Sequence, residues 1–100
     1  MILVWRPLAE DDRVQILEFI GAKNPQAAIE LDDLFEKKAE QLIDHPKLYK
    51  PGRIKGTRDA VVHPNYVMVY MLDETRISIL RILHAAQRPP KTMKTLLKAK

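Results

Sequence analysis

His84 and Arg81 are the residues of this chain best suited to chemistry, and they stand three positions apart in the run Arg76–His84 (RISILRILH). An imidazole titrates near neutral pH and can move the proton of a ribose 2′-hydroxyl. A lone histidine is more often structural, and that reading stands beside the chemical one. Arg81 falls between Ile79 and Leu83 in an otherwise apolar row. A charged group there must be paired, with Asp59 on a neighbouring strand as a candidate, or must face a groove that a partner fills. Arg53, Lys55 and Arg58 cluster ahead of the strands, and Arg88 and Lys91 follow His84. These five are either an anion-binding border or an ordinary solvated basic surface.

Other chemistries find no support. Without cysteine, disulfides and thiolate chemistry are excluded, which suits a reducing cytoplasm. His45, His63 and His84 lack metal-ligand spacing, and Gly21, Gly52 and Gly56 stand too far apart for a phosphate-binding loop. No metal or other cofactor is therefore expected. Tyr49, Tyr66 and Tyr70 could stack on bases, but the last two, like Trp5, better suit packing in the fold.

The net charge of +4 conceals an asymmetry. Residues 1–46 carry five Lys/Arg against ten Asp/Glu (net −5), and residues 47–100 carry twelve against three (net +9). A basic half is the footprint of a polyanion or of an acidic protein partner. No stretch approaches the roughly 20 apolar residues of a membrane helix, and Met1–Arg6 lacks the pattern of a signal peptide. A cytoplasmic protein with no membrane partner is expected.

The elements that must position these residues follow from periodicity and punctuation. Ile2–Trp5 reads as a strand ended by Arg6-Pro7. A helix is predicted from Leu8 to Ile20, with Glu10, Asp11 and Asp12 in its first turns and Gly21 as its cap. Asn24-Pro25 reads as an N-cap followed by proline at the first helical position, opening a helix to Asp44. Its Ala28, Leu31, Leu34, Phe35, Ala39 and Leu42 recur at three and four residues, so one face is core. Lys47–Lys55 is a basic connector. Arg58–His63, Tyr66–Leu72 and Arg76–His84 read as three consecutive strands broken by Pro64-Asn65 and Asp73-Glu74-Thr75. The unbroken apolar run of the second implies a central strand covered on both faces. Counting along the first of them turns His63 to the face away from the useful positions. Pro89-Pro90 bars helix, and Met93, Leu96 and Leu97 suggest a final helical turn or a frayed tail. The sum is one α+β domain over residues 1–100. An antiparallel helical hairpin covers one face of a small, mainly antiparallel sheet, the other face stays partly open, and the tail is basic.

Gly56-x-Arg58 before the first of the three strands and Ile-Leu-Arg-x-Leu-His at Ile79–His84 closely resemble the RelE/ParE superfamily of bacterial toxins. The resemblance extends back through both helices to Ile2. It implies the toxin of a type II toxin–antitoxin module, neutralised by a small cognate antitoxin whose flexible segment folds on binding. The charge asymmetry predicts that this segment is acidic. The antitoxin contacts implied are Leu31, Phe35, Arg58 and Arg81, and the contacts to target or nucleic acid are Arg53, Lys55, Arg58, Arg81, Arg88 and Lys91.

The branches of this superfamily imply different targets. The ParE branch binds and poisons DNA gyrase without active-site chemistry of its own, and this is the expected function. The RelE branch cleaves mRNA on the ribosome with lysines, arginines and a late tyrosine. Here Ala60, Val62 and Val67 occupy its basic places, and no tyrosine follows Tyr70. A YafQ-like nuclease is similar at His84-Ala85-Ala86, but Val61 and Asn65 stand where that branch has further ionisable groups. If the chain is a nuclease, His84 and Arg81 are its catalytic candidates. An inactive relative that merely binds an antitoxin is the remaining alternative.

Overall fold

Prolines open both long helices, because a residue with fixed φ and no N–H fits the first helical position without loss. The computed structural model describes residues 1–98. Strand β1 (Ile2–Trp5) leads into α1 (Pro7–Gly21), and α2 (Pro25–Asp44) follows after a short turn. At α2 the Asn24 side chain accepts the Ala27 N–H at 3.0 Å, as an N-cap should. At α1 the expectation is corrected: Gly21 remains helical and Ala22 is the cap. Gly21 lies where the helices meet, and a Cβ on it would stand 3.4 Å from that of Ala28, an ordinary contact.

Strands β2 (Arg58–His63), β3 (Tyr66–Leu72) and β4 (Arg76–His84) begin and end where the sequence places them. The sheet order is β1-β4-β3-β2, with β1 parallel to β4 and the other pairs antiparallel. The β3–β4 turn is held by Asp73, whose Oδ1 accepts the N–H groups of Thr75 and Arg76, each at 2.9 Å. These bonds, that from Thr75 foremost, hold its carboxyl below the usual range. Arg81 stands opposite Val69 while Ile79 stands opposite Tyr70, so Leu80 is an extra residue in β4.

Two apolar layers flank the sheet. Towards the helices, Leu31, Phe35, Ala39 and Leu42 of α2 pack with Ala9 against Met68, Tyr70, Ile77, Ile79 and Ile82. Leu31 and Phe35, expected to meet an antitoxin, are thus core residues at 6% and 0% exposure, a correction that follows from the same stripe facing the sheet. On the opposite face Ile54, Val69, Leu80 and Leu96 form a second cluster, bordered by Leu83 and Met93. That face is therefore covered at its centre, by Ile54 of the connector and by α3 (Met93–Leu96). Burial on both sides explains why β3 is apolar without alternation. Arg13 joins α1, α2 and β1: its Nε donates to Asp32 at 2.8 Å, its Nη1 to Glu36 at 3.0 Å, and its Cζ lies 4.6 Å from the Trp5 ring. Among the described residues, no helix is long and apolar enough to cross a membrane.

Candidate functional site

The connector becomes a tight, internally bonded turn. Gly52 N–H donates to the Thr57 carbonyl at 2.7 Å, and Thr57 returns two bonds to the Ile54 carbonyl. Gly56 adopts φ 88°, which glycine tolerates without strain. At Gly52 a Cβ would stand 2.6 Å from Asp59 Oδ1, so only glycine lets the turn approach β2. With Ile54 buried as the plug, Arg53 lies back over the sheet and donates from Nε to Asp59 Oδ2 at 2.9 Å.

The chain after β4 supplies the opposing wall. Thr92 accepts the Thr95 N–H at 3.1 Å, starting α3, and Leu96 is fully buried. Between the walls lies a cleft of about 360 Å³ lined by Arg53, Arg81, Leu83, His84, Gln87, Arg88, Pro89, Pro90, Thr95 and Lys98. Among the described residues it is lined by cations and one imidazole and by no carboxylate, so it suits an anionic ligand.

Arg81 lies at the back of this cleft, yet its charge is already matched. Its Nε and Nη2 donate to Asp12 Oδ2 and Oδ1 at 2.7 and 2.8 Å, and its Nη1 donates to the Leu96 carbonyl at 2.8 Å. The side chains of Arg81 and Asp12 are 6% and 8% exposed. Hydrogen bonding to Asp12 holds the guanidinium above its usual range, outweighing burial. An ion pair for Arg81 was one of the two readings of the sequence, but the partner is Asp12 on α1 and not Asp59, which Arg53 engages. Asp12 also accepts the Ile82 N–H at 2.9 Å, beyond the point where β1 ends opposite Ile79.

His84 faces both this cleft and a second hollow of about 390 Å³, lined by Asp12, Gln15, Ile16, Phe19, Tyr66, Ile82 and Gln87 as well. Its ring meets Tyr66 edge-on at 5.4 Å, and Tyr66 meets His63 at 5.6 Å and Phe35 at 5.8 Å. A register shift between Val61 and His63 brings His63 to Tyr66, contrary to simple counting along the strand. His84 Nδ1 accepts the Ala86 N–H at 3.0 Å, which in the neutral ring puts the proton on Nε2. Nε2 is then a donor. To act as a base there, the ring would need the other tautomer and would lose the Ala86 bond.

Of the remaining candidates, Arg53 and Arg88 line the cleft, whereas Lys55 and Lys91 are exposed and do not. Arg58 starts β2, at the end of the strand opposite His63. Its Nη1 donates to the Tyr49 carbonyl at 2.6 Å, and it lines a separate hollow with Lys47, Pro51 and Leu72. The polar cleft residues absent from the sequence-based set are Lys98, Gln87 and Thr95, and the apolar ones are Leu83, Pro89 and Pro90. Asp12, too, escaped that set, although it falls three residues after Ala9 and four before Ile16, on the buried stripe of α1.

Comparison with known proteins places this geometry in context. The family described as ParE toxin of type II toxin–antitoxin system, parDE, matches residues 3–89. A curated relative, Toxin RelE2 of Caulobacter vibrioides, is 33% identical over 89 residues, covering 87% of this chain and 96% of its own length. Among solved structures, a chain of the chromosomal ParDE toxin–antitoxin system from P. aeruginosa superposes with a TM-score of 0.75. It is 19% identical and covers 84% of this chain and 95% of that one, which supports the two-helix, four-strand architecture.

Proposed function

The chain belongs to the ParE toxin family of type II toxin–antitoxin systems, and from that premise we propose that it arrests growth by binding and poisoning DNA gyrase. Family membership also implies a cognate antitoxin. The observation that carries the gyrase reading is the protonation chemistry of the basic cleft. Its imidazole is bonded at Nδ1 in a way that disfavours a base at Nε2, and among the described residues no carboxylate or tyrosine lines it. Arg81 is neutralised by Asp12 and is not free to meet a scissile phosphate. Such a site is equipped to hold an anionic surface and poorly equipped to transfer protons. In this reading Arg53, Arg88 and Lys98 contact the target, and the acidic segment of the antitoxin competes for the same cleft.

One observation favours ribosome-dependent mRNA cleavage as the second reading: Arg53, Arg81, Arg88 and Lys98 line the cleft with His84. There Arg88 and Lys98 above all, unpaired among the described residues, would stabilise charge developing on a phosphate. The deciding experiment is supercoiling of relaxed plasmid by purified gyrase with and without this protein. Loss of supercoiling or accumulation of cleaved DNA, reduced in Arg53→Ala and Arg88→Ala and retained in Lys37→Ala, is expected. Gyrase left untouched by a preparation that still arrests growth rejects the proposal and moves the question to mRNA cleavage, with His84→Ala as its test.

A further inference from the structure

We infer that Arg81, fixed by Asp12, is the positioning residue that docks the C-terminal segment and so builds one wall of the basic cleft. The cleft's anion is left to other cations. The inference rests on the proposed function only for its inhibition readout. Its structural part stands on geometry.

The guanidinium has two sides. One is filled by both oxygens of Asp12, from an element 69 residues away in the chain. The other points at the end of α3, where Nη1 donates to the Leu96 carbonyl at 2.8 Å and to the Lys98 carbonyl at 3.3 Å. The four residues of α3 are too few to be stable alone, since helix nucleation is unfavourable and the last carbonyls of a helix lack internal partners. Arg81 satisfies one of those carbonyls from inside the fold while Leu96 is buried against Leu80 and Val69. The segment so held carries Thr95 and Lys98 into the cleft. A buried ion pair is weak evidence of stabilisation, because apolar replacements often do as well. What an apolar pair cannot do is hold the Leu96 carbonyl. Asp12 supplies the countercharge and orients the fork, and Arg81 passes that orientation to the tail.

The test is amide hydrogen exchange on the full chain, comparing wild type with Arg81→Lys. Lysine keeps a charge for Asp12 but, lacking the planar fork, does not bond Asp12 and the Leu96 carbonyl together. The amides of Leu96 and Leu97, which donate within α3 at 3.0 Å each, should exchange faster by on the order of tenfold, as expected for a lost charge-assisted hydrogen bond. Those of Met68 and Val69 in β3 should be unchanged. Leu96→Ala undocks the segment from its other side and should reproduce the pattern. Both variants should weaken gyrase inhibition, and the double variant should be no weaker than the worse single one. Unchanged protection of Leu96 and Leu97 in Arg81→Lys overturns the inference. So does loss of protection spread equally through β3, and so does additive behaviour of the two substitutions. Wild-type protein that does not inhibit gyrase rejects the proposed function instead and leaves the exchange comparison intact.

Discussion

Asp12 and Arg81 meet in a two-pronged ion pair, with contacts of 2.7 and 2.8 Å, at the point where β4 outruns its neighbour β1. The same carboxylate takes the Ile82 N–H and so serves in place of a strand along that edge. One side chain of α1 thus closes the sheet, neutralises a buried cation and, through it, orders the tail.

Asp12→Ala should therefore be among the most damaging single changes. It leaves a buried guanidinium without countercharge and a backbone N–H without acceptor, and should cost about 3–5 kcal/mol. Urea denaturation measures it. Replacing both partners, as in Asp12→Leu with Arg81→Met, should recover only the share of that loss due to the orphaned charge, since the Ile82 N–H and the Leu96 carbonyl stay unpaired.

The cleft cations should act as exposed surface charges, that of Arg53 partly offset by its pair with Asp59. Arg53→Ala and Arg88→Ala should each raise the half-inhibitory concentration roughly two- to fivefold, as charges worth under about 1 kcal/mol do. The effect should shrink as salt rises through the range where the Debye length falls below about 10 Å. Lys37→Ala, on the outer side of α2, is the matched control. Inhibition titrations at two ionic strengths decide the matter.

Phe35→Ala should destabilise the fold by about 3–5 kcal/mol, as deletion of a wholly buried aromatic does. It should abolish antitoxin binding only to the extent that it unfolds the protein. Thermal denaturation and antitoxin binding measured on the folded fraction separate the two effects.

Tyr70 gives the chain an alkaline limit. Its side chain is buried and its hydroxyl donates to the Pro46 carbonyl at 2.9 Å. Burial pushes its ionisation above the usual value of about 10. The unfolded chain then releases this proton at a pH where the folded chain retains it, so stability falls as pH rises through that unfolded value. Tyr70→Phe should lose about 1 kcal/mol near neutrality for the missing hydrogen bond. It should also flatten the decline above pH about 10. Urea midpoints measured from pH 8 to 11 test both.

The fold was legible because punctuation and periodicity agree in this chain. Pro7, Pro25, Pro46, Pro64-Asn65 and Asp73 stand at element boundaries, and the stripe of α2 marks its buried face. The site was less so. Alternation places Arg81 in one row with Ile79 and Leu83, but the extra residue Leu80 breaks the count, and Ile79 and Ile82 share one layer while Leu80 and Leu83 share the other. Asp12 read as one of three acids favoured by a helix N-terminus, although its place on the apolar stripe was the signal that it is buried. Which loop cations share a cleft depends on the turn at Gly52–Thr57, whose path is set by contacts with β2 and not by local pattern.

The parallel pairing of β1 with β4 also bears on how the protein comes into being. Ile2 meets Arg76 and Trp5 meets Ile79, so edge strand β1 joins the sheet by closing a loop that contains both helices and two strands. Contacts so distant in sequence delay folding, since chain entropy must be lost before they form. The β2–β3–β4 meander and the helical hairpin are local and should form first, leaving Trp5 solvated until the final closure. As the only tryptophan, set beside Arg13 in the finished fold, it should report that closure as a slow fluorescence phase of refolding.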